Sequence, residues 1–484
     1  MIERGFWRGF APLLAFYGAT ALTVQIDLYM IAPLGAGASS AFLTLTRVAA
    51  LDLVLMAATG AVASVLVAKA RFSGHTGEIV PQICRLASLI GAGAGALGCL
   101  VYRDFIAAVT GGEEIAAIAS SAIVWFGLLS PFRFFVNVCS FVLHALGDGS
   151  AVVRWKTFAV VAKIVGNWFF IDAMGYGFAG CFISNFVIAG ISSIWSFRRV
   201  RSHGVALFGA PQWTYARAFL RCTALEAQRL LWPQLAMSIS VILVSAPWIG
   251  LVDYHRVDAF SAGQILILFV LTPMTALTRF FALRLAGLSR RQTSEMVWTL
   301  WIRGTPAAFG AGVVLFVASE WLGRAVYRQE GAWWYALVEA LALSLPIRYV
   351  ANVMRAVLHS RASFAPAAAS DSLASWWIAL PLLALGLFLD EPRIAYLSLL
   401  APEAFCALWL TRQMPFSIRL GAARFLRRLL NDGRISVRLF FLDPDAATAS
   451  ISIPSQAPAR RRRSGGNRRS QRDGVLLLLR RHRP

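Results

Sequence analysis

Twelve apolar runs, each near the roughly 20 residues that a helix needs to cross a bilayer core, follow one another along the chain as far as residue 411. They lie near 10–32, 42–68, 80–101, 116–143, 152–172, 176–197, 222–246, 260–283, 300–322, 333–358, 367–389 and 393–411. In lipid, a backbone N–H or C=O must be satisfied inside its own segment, so such runs become helices. Nothing between them is polar enough to coat a soluble domain. Of the 484 side chains 58% are hydrophobic and 14% charged, against about 25% charged in an ordinary soluble protein; the mean hydropathy is +0.64. The expected fold class is an all-α polytopic membrane protein with twelve transmembrane helices, and an ordinary soluble enzyme is excluded.

The net charge of +22 would raise nucleic acid as a partner in a soluble protein. Here its placement tests the span count, because cytoplasmic connections carry the excess of Lys and Arg. One alternate set of connections holds Lys69, Arg71, Arg85, Arg154, Lys156, Arg198, Arg199, Arg201, Arg217, Arg221, Arg284, Arg290, Arg291 and Arg361. The other holds Arg103, Arg256, Arg324, Arg328 and Arg393 among Asp104, Glu113, Glu114, Asp253, Asp258, Asp390 and Glu391. Twelve spans with both termini cytoplasmic, in the cytoplasmic (inner) membrane, sort these charges; one span more or fewer scrambles them. The basic start, Met1 to Arg8, leads into an apolar run that continues through Asp27 to Ala32. That is longer than the h-region of a signal peptide, so it reads as a first span. The six cysteines, at 84, 99, 139, 181, 222 and 406, form no C-x-x-C pair and read as small packing residues.

Just over half of the net charge lies beyond the last span, where residues 413–484 hold 16 Arg against 4 Asp. Over 413–442, Ala422, Phe425, Leu426 and Leu429 recur at helical spacing with Arg424, Arg427 and Arg428 elsewhere on the turn. This is the pattern of a basic amphipathic interfacial segment. Residues 443–484, with Arg460 to Arg463 in a row, read as a disordered Arg-rich tail. The expected partner of both is a bilayer with anionic headgroups, not nucleic acid.

The fourth and tenth spans share a pattern. Pro131, Arg133, Asn137, Val138, Val142, Leu143 and His144 recur in the same order and spacing as Pro346, Arg348, Asn352, Val353, Val357, Leu358 and His359. A weaker echo pairs Ala32-Pro33 with Ala246-Pro247. The offset spans six helices, an even number, so the halves share an orientation and are related by an axis along the membrane normal. Two pseudo-symmetric six-helix bundles follow, 1–206 and 207–412, with substrate expected in a central cavity between them.

Two literal motifs carry no chemistry. Gly93-Ala-Gly95-Ala-Leu-Gly98 fits G-x-G-x-x-G but lies inside an apolar span with no strand before it; Gly91 and Gly95 read as close helix packing. His144 with Asp148 would suit a membrane-embedded transferase, yet the repeat keeps His359 and places Ser at 363. There is no Walker loop.

Other segments are similar to the multidrug and toxin extrusion (MATE) family. Val24-Gln25-Ile26-Asp27-Leu28-Tyr29-Met30-Ile31-Ala32-Pro33-Leu34-Gly35 resembles the end of that family's first helix. Leu146-Gly147-Asp148, and the stretch from Asn167 through Gly175, Gly177 and Ala179 to Gly180, resemble its turn and fifth-helix motif. Ser261-Ala262-Gly263-Gln264-Ile265 resembles the opening of its eighth helix. The likeness covers about residues 8–412. It implies an alternating-access exporter driven by proton or sodium influx, within a multidrug/oligosaccharidyl-lipid/polysaccharide exporter superfamily that includes flippases for lipid-linked sugars and peptidoglycan precursors.

Ionisable residues inside spans are costly and so are functional candidates. Those singled out are Asp27, Arg47, Asp52, Arg133, Lys163, Arg229, Arg279, Glu339, Arg348 and Arg355; for Arg229, Arg279 and Arg355, snorkelling to the interface is the competing reading. Burial disfavours the charged form of a carboxyl, which suits Asp27 to load and unload a proton, and the resemblance implies that its position handles the coupling cation. Lys163 followed by Asn167 departs from the family, where an asparagine and then a second polar group are common. An ammonium beside Asp27 would fill a sodium site, so Asp27, Lys163 and Asn167 are expected to couple protons, sodium being the alternative, unless Asp27–Lys163 is a structural pair. The acid that some members carry on the seventh helix is replaced by Trp232. Arg133 and Arg348, each two residues after a helix proline that bends the helix, are expected with Asn137, Asn352, Arg47 and Asp52 to line the substrate cavity. There guanidinium forks suit carboxylates and phosphates. The competing arrangement pairs Arg133 with Asp52 or Asp27, and Arg348 with Glu339.

The expected function is a secondary active exporter, not an enzyme, a monomer without cofactor or metal, moving a small amphiphilic organic molecule, anionic or zwitterionic, in exchange for protons. The alternatives are a flippase for a phosphorylated lipid-linked sugar and, more distantly, a membrane-embedded transferase.

Overall fold

A computed structural model describes residues 4–413 except 35–37, 39–40, 43–44, 46–49, 111–112, 208, 211, 247–253 and 328. Arg47, Pro247 and the expected segments beyond residue 413 lie outside the described residues. Within them the chain is helical and has no strand. In order, the long helices are α1 Arg4–Ile31, α2 Ala50–Ser73, α3 Thr76–Thr110, α4 Glu113–Leu146, α5 Gly149–Trp168, α6 Gly177–Ser202, α7 Trp213–Ser245, α8 Tyr254–Leu285, α9 Arg290–Val317 and α10 Ala332–Ser360. Helix α11 is built from Ala365–Leu373, a π-helical stretch Ala374–Ala379 and Leu380–Phe388, and α12 is Pro392–Gln413. Eleven of these twelve are long and apolar enough to cross a membrane by length and composition. The remaining one, α5, carries Arg154, Lys156 and Lys163 within its 20 residues.

The helices form two pseudo-symmetric lobes, α1–α6 and α7–α12, and the packing pairs repeat between them. In the first lobe α4 packs on α3, α6 and α2, while α1 packs on α5; in the second, α10 packs on α9, α12 and α8, while α7 packs on α11. Helices α4 and α10, which carry the repeated Pro-Arg-Asn-His pattern, are therefore the central staves. The lobes meet where α2 packs on α7 and α1 on α8. A two-fold that carries α1 to α7 and α2 to α8 exchanges these two contacts.

The core shows which end of the lobes is closed. At the end bearing the basic connections one apolar cluster is continuous across both lobes. It joins Phe10 and Leu13 of α1 and Val65 of α2 to Phe219 of α7, Phe280 of α8 and Val353 of α10. At the opposite end the cluster splits in two. Ile31, Phe126 and Phe182 belong to the first lobe, and Phe260, Trp334, Leu341 and Tyr396 to the second. The lobes are sealed together at the basic end and have separate cores at the other.

Local chemistry sets the turns. The Gly175–Gly180 stretch places Gly175 and Gly177 at φ +69° and +52°, a region that L side chains rarely adopt, and a Cβ on Gly180 would lie 2.6 Å from the Phe170 carbonyl oxygen. Ser289 and Gln292 form a reciprocal capping box at the start of α9. At the α4–α5 turn, Asp148 accepts hydrogen bonds from Arg199 Nε at 2.6 Å and His203 Nε2 at 3.0 Å, which ties the turn to the end of α6. Burial pushes the Asp148 carboxyl up, but the Arg199 and His203 side chains outweigh it and hold the group below its ordinary range. The literal G-x-G-x-x-G lies within α3, where Gly91 abuts Phe134 and Gly95 the Gly127 backbone, both on α4.

Candidate functional site

In the first lobe, Asp27 sits four residues before the end of α1 and is 5% exposed. Its Oδ2 accepts from Lys163 Nζ at 2.5 Å and its Oδ1 from Asn167 Nδ2 at 2.9 Å. Lys163 and Asn167 are one turn apart on α5, so a single helix face presents both donors. Asn185 of α6 donates to Oδ2 at 3.4 Å and completes a three-sided cage. The expected trio is thus brought together, and Asn185, which sequence reasoning missed, joins it. Nothing in the spacing of Asn185 relates it to Asp27; only the fold does.

Arg133 does not reach this cage. It forms an ion pair with Asp52 of α2, with its guanidinium carbon 4.9 Å from the centroid of the Phe126 ring. Ser130, one turn earlier on α4, donates to the other Asp52 oxygen at 2.9 Å. Asn137 donates to the Met56 carbonyl at 2.8 Å. Arg133 therefore takes the arrangement in which it is paired within its own bundle.

In the second lobe the charges form a chain. Arg279 of α8 donates to Glu226 of α7 at 2.7 Å, and Arg229, one turn along α7, grips the same carboxylate with two bonds of 2.8 Å. Arg229 also reaches Asp371 of α11 at 3.0 Å, and Arg355 of α10 bonds Asp371 at 2.7 Å. Arg355 continues to Glu403 of α12 at 3.3 Å, and Glu403 meets Arg348 at 3.2 Å. The order is Arg279–Glu226–Arg229–Asp371–Arg355–Glu403–Arg348. His359 flanks it, 3.5 Å from Glu226 and 3.4 Å from Arg279.

Several expectations change here. Arg348 is paired, but with Glu403 and not Glu339; Glu339 faces Arg393 instead, at 3.8 Å on an exposed surface. Asn352, expected in a cavity between the lobes, accepts from Arg355 at 2.9 Å and lines a cavity within the second lobe. Arg229, Arg279 and Arg355, for which snorkelling competed, bond buried carboxylates. The seventh helix does carry a buried acid, Glu226, six residues before Trp232. Glu226, Asp371 and Glu403 were passed over although each is an acid within an apolar run; the i, i+3 pair Glu226 and Arg229 was the available signal.

A cavity of about 380 Å³ opens within the second lobe, among α7, α8, α10, α11 and α12. Arg348, Arg355 and Arg229 reach it from the charged chain, Gln264 and Ser375 add neutral polar groups, and Phe260 belongs to its apolar wall. The π-helical stretch of α11 borders it through Ala374, Ser375 and Ala379. Such wider turns recur at functional sites. Arg133 and Asn137 are not among the residues that line it.

No family model and no curated protein matches the sequence. The fold, by contrast, has solved counterparts. The MATE transporter VcmN of Vibrio cholerae in its bent form superposes with a TM-score of 0.75 at 14% identity, covering 86% of this chain and 97% of that one. The eukaryotic MATE transporter AtDTX14 gives 0.74 at 13% identity, covering 87% and 98%. A transporter of the MOP superfamily from Pyrococcus furiosus, for which a reversed polarity of the binding pocket suggests a different function, gives 0.72 at 12% identity, covering 87% and 95%. At these identities the likeness establishes the fold: this chain has the two-lobed, twelve-helix fold of the MATE transporters.

Proposed function

We propose that this chain, having the MATE fold, is a secondary active exporter that moves an amphiphilic organic compound by alternating access in exchange for protons, across the cytoplasmic membrane with both termini inside. The observation that carries the reading is the Asp27 cage, a buried carboxylate held by Lys163, Asn167 and Asn185 within a fold whose lobes are sealed at one end only. A proton arriving at Asp27 neutralises the carboxylate and releases its hold on Lys163, so the α1–α5 and α1–α6 contacts depend on proton occupancy. The Lys163 ammonium, 2.5 Å from the carboxylate, stands where a coupling cation would bind, which favours protons over sodium. Because the sealed end bears the basic connections, positive-inside sorting makes this an outward-facing arrangement.

An anionic or zwitterionic substrate is supported by the second-lobe chain, in which four guanidiniums face three carboxylates. Transport assays in inside-out vesicles test the reading. Asp27→Asn should abolish substrate-dependent dissipation of an imposed pH gradient while the protein remains folded. If the variant still exchanges protons for substrate at the wild-type rate, the coupling assignment is wrong.

A further inference from the structure

Each carboxylate of the second-lobe chain lies between two guanidiniums, and an arginine stands at both ends, so the chain carries one positive charge that no acid within it balances. Its two ends differ. Arg279 is 6% exposed and is occupied by Glu226, with His359 beside it. Arg348 contacts one oxygen of Glu403 and keeps its Nε buried with no hydrogen-bond partner. That end borders the cavity of about 380 Å³, which lies within the usual range of about 300–1,000 Å³ for pockets that hold small organic ligands.

An uncompensated charge inside a membrane domain is expensive. The unbalanced guanidinium and a cavity with an apolar wall meet at one place. We infer that this second-lobe cavity is a binding site for an amphiphilic monoanion, a carboxylate or sulfonate on an apolar body, whose headgroup completes the charge chain at Arg348. The inference deepens the exporter reading and rests on it. It also moves the substrate site from a cavity between the lobes into one lobe. Bidentate guanidinium geometry suits a planar carboxylate or a sulfonate face. Gln264 offers a neutral hydrogen bond to the occupant, and Phe260 and Met237 line the space for the apolar body. A cationic amphiphile would add charge to a chain already in excess.

Binding to the full-length protein in phosphatidylcholine nanodiscs tests this with two probes of one shape, dansyl sulfonate and its neutral counterpart dansyl amide. The expected result is at least 10-fold tighter binding of the sulfonate, reduced about 10-fold by Arg348→Gln. Glu403→Gln frees Arg348 from its only acid and is expected to tighten sulfonate binding, whereas a purely structural chain predicts a loss with either variant. Equal affinity for the two probes overturns the site, as does unchanged sulfonate binding in a folded Arg348→Gln protein or weaker binding in folded Glu403→Gln. Should the charge variants fail to fold, Met237→Trp fills the cavity without touching the chain; unimpaired sulfonate binding there overturns the proposal, and its loss upholds it. Competition by added phosphatidylglycerol would identify a lipid anion as the occupant and its absence a diffusible one, the monoanion site standing in either case. Failure here leaves proton exchange at Asp27 untouched, and retained exchange in Asp27→Asn leaves sulfonate binding untouched, so the two readings fail separately.

Discussion

The two lobes share a scaffold but divide its charges differently. Arg133 and Arg348 occupy equivalent places on α4 and α10, yet one meets Asp52 of α2 and the other Glu403 of α12, helices that the two-fold does not exchange. Among the described residues inside its spans, the first lobe holds two separate pairs, Asp27–Lys163 and Asp52–Arg133, each closed on itself. The second holds a single chain of seven ionised groups. The helix-bending prolines and central staves have stayed common to both halves while the ionic content diverged. The lesson is that internal symmetry locates a position without fixing its partner.

The largest expected effect breaks this contrast at its functional end. Asp27→Asn is predicted to remove proton-driven export to background in vesicles, whereas Asp52→Asn, in the other pair of the same lobe, leaves the proton-to-substrate ratio unchanged. Next is stability. Glu226→Ala strands Arg279 and takes one of two acids from Arg229, and removing one partner of a buried pair costs about 3–5 kcal/mol; thermal unfolding should place it below Asp52→Ala, which strands Arg133 alone. A smaller effect sharpens the distinction between pairs and a chain. Asp27→Asn and Asp52→Asn should add within about 0.5 kcal/mol, while Glu226→Gln and Glu403→Gln, joined through the chain, should deviate from additivity by about 1 kcal/mol or more. The smallest lies outside both sets. The depressed Asp148 carboxyl stabilises the fold above the ordinary carboxylate range near pH 4 and loses that contribution as pH falls through its folded value. Wild type should therefore exceed Asp148→Asn at pH 7 by under about 1 kcal/mol, as befits a partly exposed pair, with the difference shrinking as pH falls below the ordinary carboxylate range.

Much of the fold was readable in the residues, because lipid forces each apolar run into a helix and the basic connections fix which ends share a side. The repeat located the central staves, and the glycines from 175 to 180 marked the turn between α5 and α6. The Asp27, Lys163 and Asn167 group was readable through the family resemblance, which implies the place of the coupling cation at Asp27 and sets Lys163 and Asn167 beside it. What escaped is what depends on helix rotation. Hydropathy gives depth along the bilayer normal and says nothing of azimuth, so Asn185 could not be tied to Asp27, nor Glu403 preferred to Glu339 as the mate of Arg348. The acids Glu226 and Asp371 near span ends resemble interfacial residues until a neighbouring helix brings an arginine to them. The π-helical stretch in α11 arises in Ala374–Ala379, a run with no proline or glycine to announce it.

The seal at the basic end has a consequence for kinetics. It is built chiefly of Phe10, Leu13, Val65, Phe219, Phe280 and their neighbours, and such contacts respond to temperature through heat capacity and scarcely to ionic strength. Parting the lobes there exposes oily surface to water, so the opening rate should be steep in temperature and nearly flat in salt. Added electrolyte would act elsewhere, on exposed charges at the rim, leaving the parting of the lobes unaffected.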